Sequence, residues 1–458
     1  MLFNSLAFLF IFFPLVLLGT YLVSRKQRNL VLLIASILFM LMACGTSFRS
    51  LQGLIAGLVS ADFWLLAGYI MINYLLGLGI RYQKKTSGKK GLLIAGLVLD
   101  GAPLLLYKVF GQVPLGLSFY TFQAVSYLAD VYSGKARGEK SLTKFTVYMA
   151  MFPRILQGPI IRYGDIAKSL YQRKLTDRNL LQGLEDLIIG LGMKVILAGQ
   201  IGRLWSNIQT IGAESISTPL AWMGAIAYSL QLYFDFAGYS RMAIGMGRML
   251  GLTLPENFNY PYISTTMGEF WRRWHMTLGS WFRDYIYIPL GGNRKGSLRT
   301  VLNMLVVWLF TGFWHGFGWN FILWGLLTFG LIVLERYVTG KTMDRFKVLG
   351  HIYMALVIPL MWMVFANTDF TVLGQYFARL FFVPSPYAMA GDYLKYGQTY
   401  GLWLILGIVM ATPGPARLYE LLKKKLPLAA VPVLLAVFWV SVYWIFKGQS
   451  DPFMYFHF

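Results

Sequence analysis

Apolar runs of about 20 residues recur along the whole chain, and they exclude any architecture that needs water over its entire surface. A membrane-crossing helix needs roughly 20 predominantly apolar residues. Runs of that kind lie at 3–23, 30–48, 54–80, 91–110, 115–132, 183–203, 218–236, 300–314, 319–335, 349–366, 400–414 and 427–446. Shorter apolar pieces at 145–161, 242–254, 284–291 and 371–383 fit re-entrant or interfacial helices. Such a chain is expected to be an all-α polytopic membrane protein with about a dozen spans. Composition agrees: 57% of the residues are hydrophobic and 13% charged, against roughly 45–50% and about 25% in soluble domains. A soluble globule, a disordered chain and a coiled coil are excluded. The first run, 3–23, lacks a preceding basic stretch and a small-residue cleavage site, so it is expected to stay as a span.

The net charge is +22, from 41 Lys and Arg against 19 Asp and Glu. The cations cluster between apolar runs, so a positive-inside bias explains them and nucleic-acid binding is not expected. Arg25, Lys26 and Arg28 form one basic loop; Arg81, Lys84, Lys85, Lys89 and Lys90 form a second, two spans later. Lys135, Arg137, Lys140 and Lys144 form a third, and the intervening loops carry only Arg49. This alternation puts the basic loops in the cytoplasm and the N-terminus outside. Lys423–Lys425 before the last run put the C-terminus outside too. Cys44 is the single cysteine, which rules out an internal disulfide and a cysteine metal cluster.

The region 230–320 breaks the apolar pattern. It holds Tyr-Phe-Asp-Phe-Ala-Gly-Tyr-Ser (233–240), Pro-Glu-Asn-Phe-Asn (255–259), Glu-Phe-Trp-Arg-Arg-Trp-His (269–275) and Gly-Phe-Trp-His-Gly (312–316). Ionisable groups at membrane depth face the protein interior or a wet cavity, so a polar site inside a helical shell is expected. His315 sits beside Trp314 between two apolar runs; it is either a structural histidine or a general base. Partial desolvation would keep its imidazole neutral and able to take a proton. Glycines 312, 316 and 318 would let a substrate approach the backbone. His275, with Trp271, Arg272 and Arg273, is either part of an interfacial aromatic and basic helix or the mouth for an anionic, nucleotide-bearing donor. Asp235 and Ser240 either orient a histidine or bond between helices. Arg283 and Asp284 are expected to pair. The turn Gly291–Lys295, including Asn293, either holds a phosphate or simply joins helices; it is not a P-loop. His351 is expected to be structural and His457 an interface anchor. No His-x-x-x-His pair supports a metal site, and no Gly-x-Ser-x-Gly elbow supports a serine hydrolase.

Taken in order, these pieces carry a family resemblance. To them belong Pro-Leu-Gly-Leu-Ser-Phe-Tyr-Thr-Phe-Gln (114–123), Tyr-Leu-Ala-Asp-Val-Tyr (127–132), Phe-Pro-Arg-Ile-Leu-Gln-Gly-Pro-Ile-Ile-Arg-Tyr (152–163) and Arg-Asp-Tyr-Ile-Tyr-Ile-Pro-Leu-Gly-Gly-Asn-Arg (283–294). The chain resembles the membrane-bound O-acyltransferase family, in its alginate O-acetyltransferase branch, over about residues 100–335. The resemblance implies a ring of membrane helices around a central funnel and tunnel, within one integral domain spanning 1–458. Its parts would be N-terminal helices (1–110), a catalytic core (111–335) and C-terminal helices (336–458). It implies catalytic roles for His315 and His275; beside it, the residues themselves make Asp235, Ser240 and Trp314 the expected support and Trp271, Arg272, Arg273 and Asn293 the candidate donor contacts. His315 would act as base, and His275 with the arginines would hold the donor or polarise its carbonyl. Acetyl-CoA is the implied donor substrate, with no tightly bound cofactor and no metal. The implied acceptor is an extracytoplasmic polysaccharide, reached directly or through a serine-hydrolase-like (SGNH) partner, from a bacterial cytoplasmic membrane. Arg154 and Gln157, in the 152–163 piece, leave the acceptor open. D-alanyl transfer to teichoic acid, a transporter and a scaffold are the competing expectations. A transporter would show inverted repeats, and none is evident in the sequence.

Overall fold

The computed structural model describes residues 3–45, 51–111 and 113–448. Arg49 and the C-terminal stretch with His457 lie outside the described residues. All regular structure among the described residues is helical. Seven helices there are long and apolar enough to cross a membrane: Ala61–Tyr82, Thr86–Phe110, Asp177–Ile211, Ser297–His315, Trp319–Met343, Lys347–Ala366 and Pro427–Phe446. The pair Asp392–Met410 and Pro413–Lys425, bent by 72°, makes an eighth if it is one span. Phe8–Leu22 and Arg28–Cys44 are apolar but shorter.

Local chemistry moves several expected boundaries. The run 54–80 is cut at Ser60, whose backbone is extended and whose hydroxyl accepts from the Asp62 N–H at 3.3 Å. That is an N-cap, and it starts a new helix. The run 218–236 and the first part of 242–254, as far as Met249, lie in one helix, Thr218–Met249, of 32 residues. The apolar piece 145–161 becomes two short helices, Leu142–Ala150 and Phe152–Ile155. The bend after Met410 falls at Thr412, which caps Gly414 N–H just before Pro413 at the first helical position.

The chain divides into two compact units, Met1–Ile188 with Tyr239–Glu256, and Ile189–Gly238 with Asn257–Phe458. The first unit packs Phe3, Phe8, Phe39 and Phe152 into an aromatic cluster; the Phe3 and Phe8 rings are 4.8 Å apart, and those of Phe39 and Phe152 5.7 Å. In that unit Gly183 and Gly245 meet backbone to backbone. A Cβ on Gly245 would lie 2.5 Å from the Gly183 carbonyl oxygen, and one on Gly183 would lie 2.6 Å from the Gly245 oxygen. Small residues at such crossings let helices approach closely where lipid offers no hydrophobic drive. In the second unit Gly238 does the same against Gly190, at 2.7 Å. The second unit also carries the large buried aromatic core that surrounds the candidate site.

Gly245→Ala should therefore destabilise the protein by about 1–3 kcal/mol, the cost typical of overpacking. Gly330→Ala, at a helical position with nothing within 4 Å, should not. Thermal melting of the solubilised protein by tryptophan fluorescence checks the pair.

Candidate active site

Both candidate histidines and the residues that hold them lie in the second unit. Two short helices, Met267–Arg273 and Met276–Phe282, are separated by Trp274 and His275. The first begins at Thr266, whose hydroxyl accepts from the Glu269 N–H at 3.1 Å. The buried Glu335 carboxylate accepts from Met267 N–H at 2.6 Å and Gly268 N–H at 3.0 Å. The orphan donors of this helix start are thereby met from inside the protein. His275 then takes a left-handed backbone conformation, φ 43° and ψ 52°. That region costs a non-glycine residue of order 1–3 kcal/mol and persists only where its surroundings hold it. What holds it is Asn257, whose carbonyl accepts from Met276 N–H at 2.9 Å.

The Asn257 side chain also decides which nitrogen of His275 carries the proton. Its Oδ1 accepts from the Thr277 hydroxyl at 2.9 Å and from the Thr277 N–H at 3.3 Å. A backbone N–H can only donate, so the atom it meets is the amide oxygen. The same oxygen lies 2.9 Å from His275 Nδ1. Nδ1 must therefore be the protonated nitrogen and donate. Nε2 is left with its lone pair, buried and without a hydrogen-bond partner. The expectation that His275 polarises a carbonyl meets this obstacle: in the neutral Nδ1–H tautomer, Nε2 accepts a proton and cannot donate one.

His315 ends the helix Ser297–His315 and is buried. Trp314 joins the two histidines, with its ring 4.5 Å from that of His315 and 6.5 Å from that of His275. His315 also stands edge-on to Trp324 at 5.3 Å and to Phe365 at 4.9 Å. Phe236 packs on His275 at 4.7 Å. Three residues picked from sequence, His275, Trp314 and His315, thus share one buried aromatic cluster. The glycines beside His315 do something other than expected. A Cβ on Gly312 would meet the Phe321 carbonyl at 2.7 Å, and one on Gly316 would meet the Phe321 ring at 2.8 Å. They admit the neighbouring helix, not a substrate.

The remaining candidates scatter. Asp235 is buried and forms an ion pair with buried Lys194, which lies in the π-helical stretch Met193–Ala198. Ser240 is buried in the first unit. Trp271 packs among Trp308, Trp324 and Trp362, at 5.0, 5.5 and 6.1 Å, so it belongs to the aromatic core. Arg273 is held by Glu269 at 2.9 Å and by the Asn259 carbonyl at 3.1 Å. Arg272 and Asn293 are exposed. Arg283 and Asp284 pair at 2.7 Å, as expected. His351 is exposed near the start of Lys347–Ala366. Lys194, Asn257 and Glu335 were not singled out from sequence. An ammonium and carboxylates inside otherwise apolar runs are the signal that marks the first and last of them.

Comparison with known proteins adds to this geometry. The family model described as the membrane-bound O-acyltransferase family matches residues 133–366. A probable alginate O-acetylase of Azotobacter vinelandii is 34% identical over 396 residues, covering 83% of this chain and 78% of that protein. A peptidoglycan O-acetyltransferase of Helicobacter pylori is 32% identical over 379 residues, covering 71% and 69%. A teichoic acid D-alanyltransferase of Streptococcus thermophilus is 30% identical over 267 residues, covering 52% and 63%.

Removing one partner of a buried ion pair leaves an uncompensated charge and costs about 3–5 kcal/mol, whereas replacing both with apolar residues is often neutral. Lys194→Met should therefore lower the melting temperature sharply, and Lys194→Met with Asp235→Leu should recover most of the loss. A double-mutant cycle in thermal unfolding reads the coupling.

Proposed function

The chain belongs to the membrane-bound O-acyltransferase family and is a membrane O-acyltransferase, and from that premise we propose that it moves acetyl groups from acetyl-CoA to hydroxyls of an extracytoplasmic polysaccharide. The names of the alginate and peptidoglycan relatives support acetyl as the group and a polysaccharide as the acceptor. The D-alanyltransferase matches a smaller share of the chain, which favours acetyl transfer over D-alanyl transfer. The donor would approach from the side of the basic loops, where positive charge suits its phosphates. The acceptor is either the polysaccharide itself or a serine on an extracytoplasmic partner that completes the transfer. The setting is a bacterial cytoplasmic membrane with both termini outside.

One observation carries the mechanism: His275 and His315 lie in one buried cluster with Trp314 between them. His315 takes the proton of the incoming hydroxyl. The oxygen adds to the thioester carbonyl, and the carbon–sulfur bond breaks as the tetrahedral intermediate collapses. The coenzyme thiolate leaves and takes the proton back from the imidazolium. General-base assistance of this kind is worth about 10²–10⁴-fold, and positioning inside the cluster supplies further acceleration. A second reading is favoured by the Asn257 contact, which gives His275 a fixed lone pair at Nε2. Under that reading His275 takes the hydroxyl proton and His315 shapes the site.

His315→Ala should leave the protein in the membrane and abolish acetylation of the exported glycan; normal acetylation would refute the mechanism. Asn257→Leu separates the two readings. If His275 is the base, kcat should fall about 10- to 100-fold with little change in donor KM, because the tautomer is released. If His315 is the base, kcat should stay within a few-fold of wild type.

A further inference from the structure

Three basic loops that lie far apart in sequence are tied together around the segment 163–174 of the first unit. From the first loop, Arg25 Nε and Arg28 Nη1 each donate to the Arg173 carbonyl at 3.2 Å. From the second, Arg81 donates to the Gly138 carbonyl of the third. From the third, Lys144 Nζ lies 3.2 Å from the centre of the Tyr171 ring. Beside this segment is a cavity of about 510 Å³, within the range of roughly 300–1,000 Å³ that ligand sites occupy. The helix Tyr163–Tyr171 and the link after it supply Lys168, Ser169, Gln172 and Lys174 to its wall. The start of Asp177–Gly192 supplies Asn179, and the end of Thr218–Met249 supplies Arg248. All six belong to the first unit. The turn after Arg248 fits closely against the link: Gly251 takes φ 72°, and a Cβ there would lie 2.7 Å from the Lys174 carbonyl oxygen.

No carboxylate lines the cavity. Lys168 and Lys174 are exposed and form no ion pair among the described residues. Arg248 shares Asp186 with Arg241, at 2.5 and 3.2 Å, so two cations meet one anion there. A positive-inside bias puts cations on one side of a membrane, but it does not aim them at one cavity. Like charges gathered in this way repel, and an anion relieves the repulsion. Three cations with the hydrogen-bonding groups of Ser169, Gln172 and Asn179 suit a phosphate flanked by hydroxyls. The surroundings select the molecule that bears it. Asp177–Gly192 opens a stretch long and apolar enough to cross a membrane, and on it Leu181 and Leu184 follow Asn179 within two turns, 66% and 44% exposed. An outward apolar surface beside a basic pocket suits acyl chains and their headgroup together. We propose that this cavity binds the phosphate headgroup of an anionic phospholipid, held by Lys168, Lys174 and Arg248, with the acyl chains along Leu181 and Leu184. The site is independent of the acyl-transfer reaction and of its donor.

The test titrates the full chain in detergent with dioleoyl phosphatidylglycerol and with dioleoyl phosphatidylcholine, which has the same chains and no net charge, and reads binding by native mass spectrometry. Wild type should prefer phosphatidylglycerol by about 100-fold, roughly fivefold for each of three cations. Lys168→Gln with Lys174→Gln should cut the preference to about fivefold. Both side chains are exposed, so this double variant should melt as wild type does in lipid-free detergent. Lys423→Gln with Lys424→Gln removes the same charge from the second unit and should leave the preference within about twofold of wild type. Equal binding of the two lipids by wild type, or equal losses in the two double variants, would overturn the site. A last arm adds coenzyme A, which should leave the bound lipid in place. Displacement of the lipid that requires Lys168 and Lys174 would overturn the lipid assignment and give the cavity to the phosphates of the donor.

Discussion

A helical shell built to face lipid has no water at its outer surface to satisfy polar groups carried inward, so each such group must find its partner within the protein. The second unit is organised around that constraint. Glu335 satisfies the start of the Met267–Arg273 helix, Lys194 and Asp235 neutralise each other, and Asn257 collects donors from Thr277 and His275. None of these contacts is local in sequence. Each ties a break in the helical pattern to a distant element, and together they allow a non-helical turn to exist inside an apolar protein.

That turn sets the position of His275. A continuous helix through residues 267–282 would pair its own backbone groups and need no outside support. The interruption at Trp274 and His275 costs backbone strain, and it places an imidazole with an unengaged nitrogen inside the aromatic cluster. The rings of Trp314, Trp324, Phe236 and Phe365 surround the two histidines with apolar surface. Under the proposed mechanism, low polarity around a neutral imidazole would strengthen its interaction with a reacting hydroxyl and exclude competing water. The same constraint acts in the first unit, where buried Arg154 donates through Nη2 to Gln123 and to the Tyr148 and Met149 carbonyls.

Much of this was legible from residue order alone, for a physical reason. Helices such as Thr86–Phe110 and Pro427–Phe446 are only slightly buried within the protein. Their apolar character answers to lipid, which acts on every residue alike and needs no knowledge of the fold. The polar motifs around His275 and His315 stood out against that background for the same reason. What was not legible depends on through-space partners. Lys194 meets Asp235 across 41 residues, and Asn257 meets His275 across 18. The glycines at 312 and 316 look like room for a substrate until Phe321 is seen to fill it. The cut at Ser60 was within reach, since a serine two residues before an aspartate is a helix-start signal, but the surrounding apolar run masked it.

The two readings of the proposed mechanism part at His275, which the Asn257 contact holds as a neutral imidazole with Nδ1 protonated and the Nε2 lone pair unengaged. The most direct measurement is nitrogen NMR on the membrane-embedded protein labelled with ¹⁵N-histidine, with His275→Gln identifying the signal. Nδ1 should be protonated and Nε2 unprotonated at neutral pH, with the pattern lost in Asn257→Leu. A protonated Nε2 in wild type, or a signal indifferent to Asn257, would contradict it.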